Sequence, residues 1–136
     1  MHMKLVAISG YFDPLHVGHI EYIKLAKNLG DKLVVIVNND YQCKLKKAKS
    51  FMNESDRLEI VKSIIWVDDA ILSIDRDETV CKSIELIKPS IFANGGDRKN
   101  KEIPESKICS KLGIKIIDGL GKKIRSSSNY TGLKSK

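Results

Sequence analysis

Apolar segments and helix-like segments alternate along this chain. The apolar run from Leu5 to Ile8 predicts a strand. A loop follows as far as Gly18, and apolar residues then recur at helical spacing until Gly30, which predicts a helix that ends at that glycine. Lys32 to Val37 (KLVVIV) is almost wholly β-branched, as is typical of a strand buried on both faces of a parallel sheet. Together these segments predict a β-α-β unit.

The same alternation continues after the first unit. It predicts a lysine-rich loop from Asn38 to Phe51, a helix capped by Asn53 to Asp56 and ending near Ile64, a strand from Ala70 to Ile74, a helix from Thr79 to Lys88, a strand from Ile91 to Ala93, a helix from Glu105 to Leu112, a strand from Lys115 to Ile117 and a last short helix capped near Ser126. We therefore expect a single α/β domain over residues 1–136, with a Rossmann-like open parallel sheet of about five strands and helices on both faces.

The predicted sheet indicates where a ligand binds. In open parallel sheets the site lies beyond the carboxyl ends of the strands. This rule selects the loops Gly10 to His19, Asn38 to Phe51, Asn94 to Lys101 and Gly119 to Ser128.

Composition narrows the class of protein. The 136 residues can bury one ordinary core, and 42% of them are hydrophobic and 30% charged, which is unlike a disordered chain. The net charge of +7 favours anionic partners such as nucleotides. No stretch is apolar enough for a signal peptide or a membrane span, so no membrane partner is expected. Met1-His2 precedes a second methionine and is interpreted as an added remnant, which removes His2 from the candidates.

The cysteines indicate the compartment. Cys43, Cys81 and Cys109 are odd in number and far apart, and they form no C-x-x-C pair. Neither a disulfide framework nor a zinc site is indicated, and a reducing cytoplasm fits best.

The first loop carries the candidate chemistry. His16 and His19 lie three residues apart where a helix begins, and the free N–H groups of a helix start favour an anion. Gly18 between them allows a phosphate to approach the backbone. The histidines could instead cap the helix, pack in the core or bind a metal with Asp13. No further Cys or His supplies the remaining ligands of a zinc site, so no protein-held metal is predicted.

Four segments resemble a known family. The sequence Gly10-Tyr11-Phe12-Asp13-Pro14-Leu15-His16-Val17-Gly18-His19 is similar to the signature of the cytidylyltransferase-like nucleotidyltransferases. Lys46 and Lys49, followed by Arg57, match the lysine loop and arginine of glycerol-3-phosphate cytidylyltransferase. Gly95-Gly96-Asp97 resembles a segment of the adenylyltransferase that forms ADP-heptose, and Ser126-Ser127-Ser128 falls at the family's serine motif. The resemblance covers nearly the whole chain.

The resemblance implies a reaction and a role for each residue. A nucleoside triphosphate would react with a phosphorylated small molecule to give a nucleotide-diphospho product and pyrophosphate, with Mg²⁺ accompanying the triphosphate. The catalytic residues implied are His16, His19, Lys46 and Lys49, with one or other of the two lysines closing over the triphosphate. The nucleotide-binding residues implied are Gly10, Tyr11, Phe12, Asp13, Gly18, Arg57, Gly95, Asp97, Arg125, Ser126, Ser127 and Ser128.

Several of these residues have simpler explanations. The lysines could belong to a solvated loop, Arg57 could form ion pairs on a helix surface, and the serines could only cap a helix. The chain also departs from the cytidylyltransferase pattern before its serine motif. Either Lys122, Lys123 or Arg125 replaces the arginine that the family carries there, or the loop is built differently.

The sequence leaves the substrates open. CTP is favoured over ATP, with glycerol 3-phosphate or a sugar phosphate as the acceptor. Adenylyl transfer to heptose 1-phosphate or a coenzyme precursor is the alternative, and a nucleotide sensor without activity is another. A basic nucleic-acid-binding module lacks the expected aromatic and helical recognition elements, so nucleic acid is not predicted as a partner. Resemblance alone suggests a homodimer.

Overall fold

The computed structural model of the protein describes residues 3–47, 49–95 and 104–120. Its elements, in chain order, are β1 (Leu5–Gly10), α1 (Val17–Lys27), β2 (Lys32–Val37), α2 (Asp40–Lys47), α3 (Glu54–Lys62), β3 (Asp69–Leu72), α4 (Cys81–Ile87), β4 (Ile91–Gly95), α5 (Glu105–Leu112) and β5 (Lys115–Leu120).

The strands form one parallel sheet in the order β3-β2-β1-β4-β5. The central pair is in continuous register, from Leu5 opposite Lys32 to Gly10 opposite Val37. The chain adds β2 and β3 on one side of β1 and then β4 and β5 on the other, so the strand order reverses between β1 and β4. In such sheets ligands bind in the crevice at the carboxyl ends of the strands at this point. The predicted α/β class and the five-stranded parallel sheet are confirmed.

Helices cover both faces of the sheet. Leu33, Val35 and Val37 of β2 pack with Ile23 of α1 and Val61 of α3 on one face. On the other face the alternate β2 residues Val34 and Ile36 pack in a cluster that includes Ile84 of α4 and Cys109 of α5. The alternation puts every β2 residue after Lys32 in a core, as the unbroken β-branched run predicts.

One element of the prediction is wrong. The segment Asn38 to Phe51 was expected to be a loop, but residues Asp40–Lys47 form helix α2. The Asn39 side chain accepts a hydrogen bond from the Gln42 N–H at 2.9 Å and so caps the first turn. Acidic Asp40 lies in that turn and lysines occupy the last one, which suits the helix dipole. Local polar contacts therefore form this helix without an apolar periodicity.

The other predicted elements that fall on the described residues are present, most with shifted ends, and the last short helix predicted near Ser126 lies outside those residues. β2 and α5 have the predicted bounds, whereas β4 and β5 extend further toward the ligand side, to Gly95 and Leu120. Cys43, Cys81 and Cys109 are free thiols in this structure. Among the helices of the described residues, none combines the length and the apolar character needed to cross a lipid bilayer.

Candidate functional site

A cavity of about 490 Å³ lies at the carboxyl ends of β1, β2 and β4. Its walls come from the β1–α1 loop, the starts of α1 and α5, the last turn of α2 and the segment before α4. The lining residues are Ser9, Gly10, Tyr11, Phe12, His19, Tyr22, Asn38, Lys46, Glu78, Val80, Asn94, Gly95, Pro104 and Glu105. Six of the predicted site residues therefore meet in one cavity: Gly10, Tyr11, Phe12, His19, Lys46 and Gly95.

The two histidines form the start of α1. His16 is the N-cap residue, and its Nδ1 accepts the Gly18 N–H at 3.1 Å. His19 reaches back, and its Nδ1 accepts the His16 N–H at 3.1 Å. This reciprocal pair is a capping box built from imidazoles in place of the usual hydroxyl and carboxylate. The rings stack with their centroids 3.9 Å apart. The capping role observed for the two histidines is therefore compatible with the predicted role of binding an anionic ligand.

The capping bonds determine which nitrogen of His19 carries the proton. Because Nδ1 accepts a hydrogen bond, the neutral ring is protonated on Nε2, which is a donor. Burial, and secondarily the charge of His16, lower the pKa of His19 from 6.5 to about 3. His19 is therefore a neutral hydrogen-bond donor at physiological pH, located at a helix N-terminus and in the wall of the cavity.

Phe12 and Gly10 shape the wall beside His19. The Phe12 ring is buried and meets the His19 ring edge-on, with centroids 5.0 Å apart. A Cβ atom at Gly10 would lie 2.7 Å from the Phe12 ring, so only glycine at this position leaves room for that contact. Gly95 is restricted in the same way, because its Cβ would lie 2.9 Å from the Tyr22 ring. Tyr22 in turn donates to the Ala93 carbonyl at 2.9 Å and ties α1 to β4.

The lysines of the α2 segment have different surroundings. Lys46 lines the cavity, with its Nζ 4.5 Å from the centre of the Tyr11 ring. Lys47, which the sequence analysis did not select, forms an ion pair of 2.7 Å with the buried Asp13. Lys49 is exposed and is not part of the cavity lining. The geometry thus separates one cavity lysine from one anchoring lysine.

Asp13 is an anchor within the protein. Its carboxylate is fully buried and accepts the N–H groups of Phe51 and Met52 at 2.7 and 2.6 Å, besides pairing with Lys47. Burial raises the pKa of Asp13, but the bonds from Lys47 and the two backbone groups outweigh this effect and leave the pKa below its ordinary value. A direct contact of Asp13 with a nucleotide remains a prediction.

Arg57 is also engaged by the protein. Its side chain is fully buried, and its guanidinium donates to the carbonyls of Tyr11, Asn38 and Met52 and to the carboxylate of Asp40, at 2.6 to 3.0 Å. These bonds tie α3 to the ends of β1 and β2, so Arg57 positions the loops that line the cavity. The predicted contact of Arg57 with a phosphate remains untested.

Several lining residues were absent from the sequence prediction. Asn38 and Asn94 stand at the carboxyl ends of β2 and β4 and begin two of the loops that the rule for open sheets selected, but neither was named as a site residue. Glu78 and Glu105 enter the cavity through tertiary packing, and no local pattern identifies them. The Glu105 carboxylate accepts the Val80 N–H at 3.0 Å and joins the starts of α5 and α4.

Some predicted site residues lie outside the described residues: Asp97, Arg125, Ser126, Ser127 and Ser128. Lys122 and Lys123 lie outside them as well. Within residues 3–47, 49–95 and 104–120, no group of three His, Cys, Asp or Glu side chains is arranged to hold a metal ion.

Comparison with known proteins identifies related chains. The sequence profile of the family described as Cytidylyltransferase-like matches residues 7–119. FAD synthase of Aciduliprofundum boonei is 40% identical over 116 residues, which cover 84% of this chain and 75% of that protein. The bifunctional protein HldE of Aliarcobacter butzleri is 37% identical over 119 residues, covering 85% of this chain and 25% of HldE.

The structural comparison agrees. The crystal structure of the lipopolysaccharide core biosynthesis protein from Thermoplasma volcanium GSS1 superposes with a TM-score of 0.75 at 33% identity, over 88% of this chain and 98% of that one. The match to FAD synthase of Pyrococcus abyssi, at 40% identity, covers 68% of this chain and 63% of that enzyme. The chain thus spans less than two thirds of the length of some curated relatives, and a quarter of HldE.

Proposed function

This chain belongs to the cytidylyltransferase-like family of nucleotidyltransferases, and from that premise we propose that it transfers AMP from ATP to the phosphate of a small molecule and releases pyrophosphate. An oxygen of the acceptor phosphate attacks the α-phosphorus. The bond between the α-phosphorus and the bridging oxygen breaks, and pyrophosphate leaves with that oxygen. The second pKa of a phosphate ester is about 6, so the nucleophile is already ionised and no strong base is required.

The observation that carries the proposal is the placement of His19. Its neutral ring has a donor at Nε2, and the same cavity holds the cationic Lys46. Charge grows on the α-phosphoryl oxygens and on the leaving pyrophosphate during an in-line displacement, and preorganised donors and cations stabilise that charge. Since burial keeps His19 from becoming charged, its donor needs no change of protonation state during turnover.

The preference for ATP comes from the relatives. FAD consists of AMP joined to riboflavin phosphate through a pyrophosphate linkage, so an enzyme named FAD synthase is consistent with adenylyl transfer to a phosphate. We therefore propose ATP as the nucleotide substrate in place of CTP, which the sequence analysis favoured. Riboflavin 5′-phosphate and a heptose 1-phosphate are the first acceptors to test, and glycerol 3-phosphate is the third.

Magnesium is proposed as part of the substrate. The described residues offer no cluster for a protein-held ion, and a triphosphate brings Mg²⁺ with water completing its coordination shell. MgATP would neutralise part of the phosphate charge, while His19 and Lys46 donate to the remaining oxygens.

Pyrophosphate release tests the proposal directly. The protein is incubated with Mg²⁺ and ATP or CTP, each with riboflavin 5′-phosphate, heptose 1-phosphate or glycerol 3-phosphate. Release that needs ATP and one acceptor supports the proposal. Release with CTP alone would restore the cytidylyl alternative. If no pair releases pyrophosphate and no nucleotide raises the Tm, the chain lacks the proposed activity, because a ligand at about 100 times its Kd stabilises by roughly 2.7 kcal/mol.

A homodimer is proposed as the assembly, on family resemblance alone. Sedimentation equilibrium of the 15.3 kDa chain checks this directly. A species at twice the chain mass is expected, and a species at 15.3 kDa at working concentration would contradict it.

A further inference from the structure

The segment between β3 and α4 places a carboxylate in the cavity. Glu78 belongs to the same lining as Lys46 and His19. Its carboxylate has no hydrogen-bond partner within residues 3–47, 49–95 and 104–120. Glu105, the other acidic residue of the lining, already accepts the Val80 N–H. Glu78 therefore differs from Glu105 in retaining its hydrogen-bonding capacity for a ligand.

A buried side chain holds the backbone on both sides of Glu78. The Gln42 amide nitrogen donates to the carbonyls of Asp77 and Thr79, at 2.8 and 2.7 Å. Gln42 is fully buried, and its amide oxygen accepts from the side chain of Asn38 at 3.0 Å. Such a satisfied buried amide fixes an otherwise exposed segment, because breaking it would leave polar groups without partners.

Helix α2 carries both Lys46 and Gln42, the residue that holds the backbone beside Glu78. Gln42 and Lys46 are four residues apart on α2, one helical turn, so both project from a similar face of that helix. The position of Lys46 and the position of Glu78 are thereby set by one element. Lys46 and Glu78 therefore give the cavity one cationic and one anionic group, and α2, the helix that follows β2, fixes their relative placement.

A carboxylate in a cavity that receives phosphates limits what binds beside it. It repels phosphate oxygens and accepts hydrogen bonds from neutral O–H or N–H groups. In-line displacement puts the nucleophile and the leaving group on opposite sides of the α-phosphorus, so the acceptor and the pyrophosphate occupy different parts of the cavity. The family resemblance places the nucleotide at Gly95, at the end of β4, whereas Glu78 lies on the segment before α4.

We propose that Glu78 determines acceptor specificity by accepting hydrogen bonds from hydroxyl or N–H groups of the phosphorylated acceptor, and that Gln42 positions it. This inference rests on the proposed transferase function. The ligand chemistry is a phosphate monoester with neutral donor groups beyond the phosphate, which both a sugar phosphate and riboflavin 5′-phosphate possess. An acceptor that presents only apolar groups there is excluded.

Steady-state kinetics with the acceptor that wild type uses tests the proposal. Glu78→Ala is expected to raise the KM for the acceptor by about tenfold or more, the size of one hydrogen bond to a charged group, while the KM for ATP stays within twofold. Glu78→Gln keeps one acceptor oxygen and should give an intermediate KM. Glu85→Ala, an exposed glutamate of α4 outside the lining, is the matched control and should change neither constant.

A double-mutant cycle tests the positioning role of Gln42. Gln42→Met removes the donor with little change in volume, and it should raise the acceptor KM in the wild-type background. In the Glu78→Ala background the same change should add nothing to the acceptor KM, whereas a merely structural role would add the same factor in both. Tm values of all four proteins accompany the kinetics, so that a general loss of folding is recognised.

The outcomes separate the two proposals. If wild type turns over and Glu78→Ala leaves the acceptor KM unchanged, or raises only the KM for ATP, the assignment of Glu78 is overturned and the transferase function stands. If wild type releases no pyrophosphate from any pair, the proposed function fails and the inference falls with it.

Discussion

Two nitrogen-bearing side chains beside the β1–α1 loop, the Arg57 guanidinium and the His19 imidazole, differ in how far the protein itself uses their hydrogen-bonding capacity. On one side Arg57 is fully buried, and its donors bind the Tyr11 carbonyl and other protein groups. On the other side His19 uses Nδ1 for the protein, while its ring lines the cavity. The donors of Arg57 hold the loops in place, whereas we propose that Nε2 of His19 donates to a ligand in the cavity. The four predictions below test this distinction, from the largest expected effect to the smallest.

Arg57→Met should mainly reduce stability. It removes the buried partner of Asp40 and leaves three carbonyls without their donor, which costs about 3 kcal/mol. Urea denaturation gives the free energy of unfolding. Arg76→Met is the control: Arg76 is exposed and, among the described residues, contacts the Tyr41 ring alone, so the change should cost about 0.5 kcal/mol. A stable Arg57→Met protein that has lost activity would mean that the guanidinium binds the ligand.

His19→Ala should mainly reduce activity. We expect kcat to fall by about 100-fold or more, as when one preorganised donor to a developing charge is removed, with only about 1 kcal/mol lost from the helix cap. His19→Gln separates the two effects, because glutamine at this position can restore the capping box. Near wild-type stability with low kcat is expected for it. Wild-type turnover in either variant would remove His19 from the chemistry.

Lys46 and Lys49 should differ in their effect on activity. Lys46→Met removes the cation that lines the cavity and should lower kcat/KM for ATP about tenfold. Lys49→Met changes an exposed residue outside the lining and should stay within about twofold. Both variants remove one lysine charge, so the net charge of the protein is the same in the two. Equal losses would show that the segment acts only through its net charge.

The buried neutral His19 should make the protein less stable in mild acid. Its folded pKa is depressed to about 3 from 6.5, so below pH 6.5 the unfolded chain binds a proton that the folded chain does not. Stability is therefore lost as pH falls from 6.5 toward 3, by about 1 kcal/mol between pH 7.0 and 5.5. Urea denaturation at both pH values should show this loss in wild type and not in His19→Gln. Equal losses would place the titration elsewhere.

The parts predictable from sequence are those with a local physical signature. The β-branched run of β2 and the Gly113 stop of α5 give the right bounds, and the spacing of His16 and His19 correctly indicates a helix start. The family predicted from the first loop is confirmed by the profile match.

The missed parts depend on contacts between distant residues. Helix α2 has few apolar positions, so no hydrophobic periodicity predicts it. The ion pair of Lys47 with Asp13 joins residues 34 positions apart, which no local pattern shows. The positioning role of Arg57 was also missed, because a sequence cannot show that carbonyls from other segments accept from its guanidinium; its predicted contact with a phosphate stays a prediction. The segment of Glu78 is held by Gln42, whose amide donates to the carbonyls of Asp77 and Thr79, so α2 contacts residues 35 and 37 positions away along the chain.

The imidazole capping box constrains how this protein can evolve. Replacing an active-site group often makes an enzyme more stable, because such groups are selected for chemistry at the expense of folding. Here the two rings begin α1, whose Tyr22 is bonded to β4, and one of them, His19, also lines the cavity of the proposed chemistry. Most losses of a histidine in this loop would weaken the fold as well as the catalyst, so selection for folding alone would help to retain both rings.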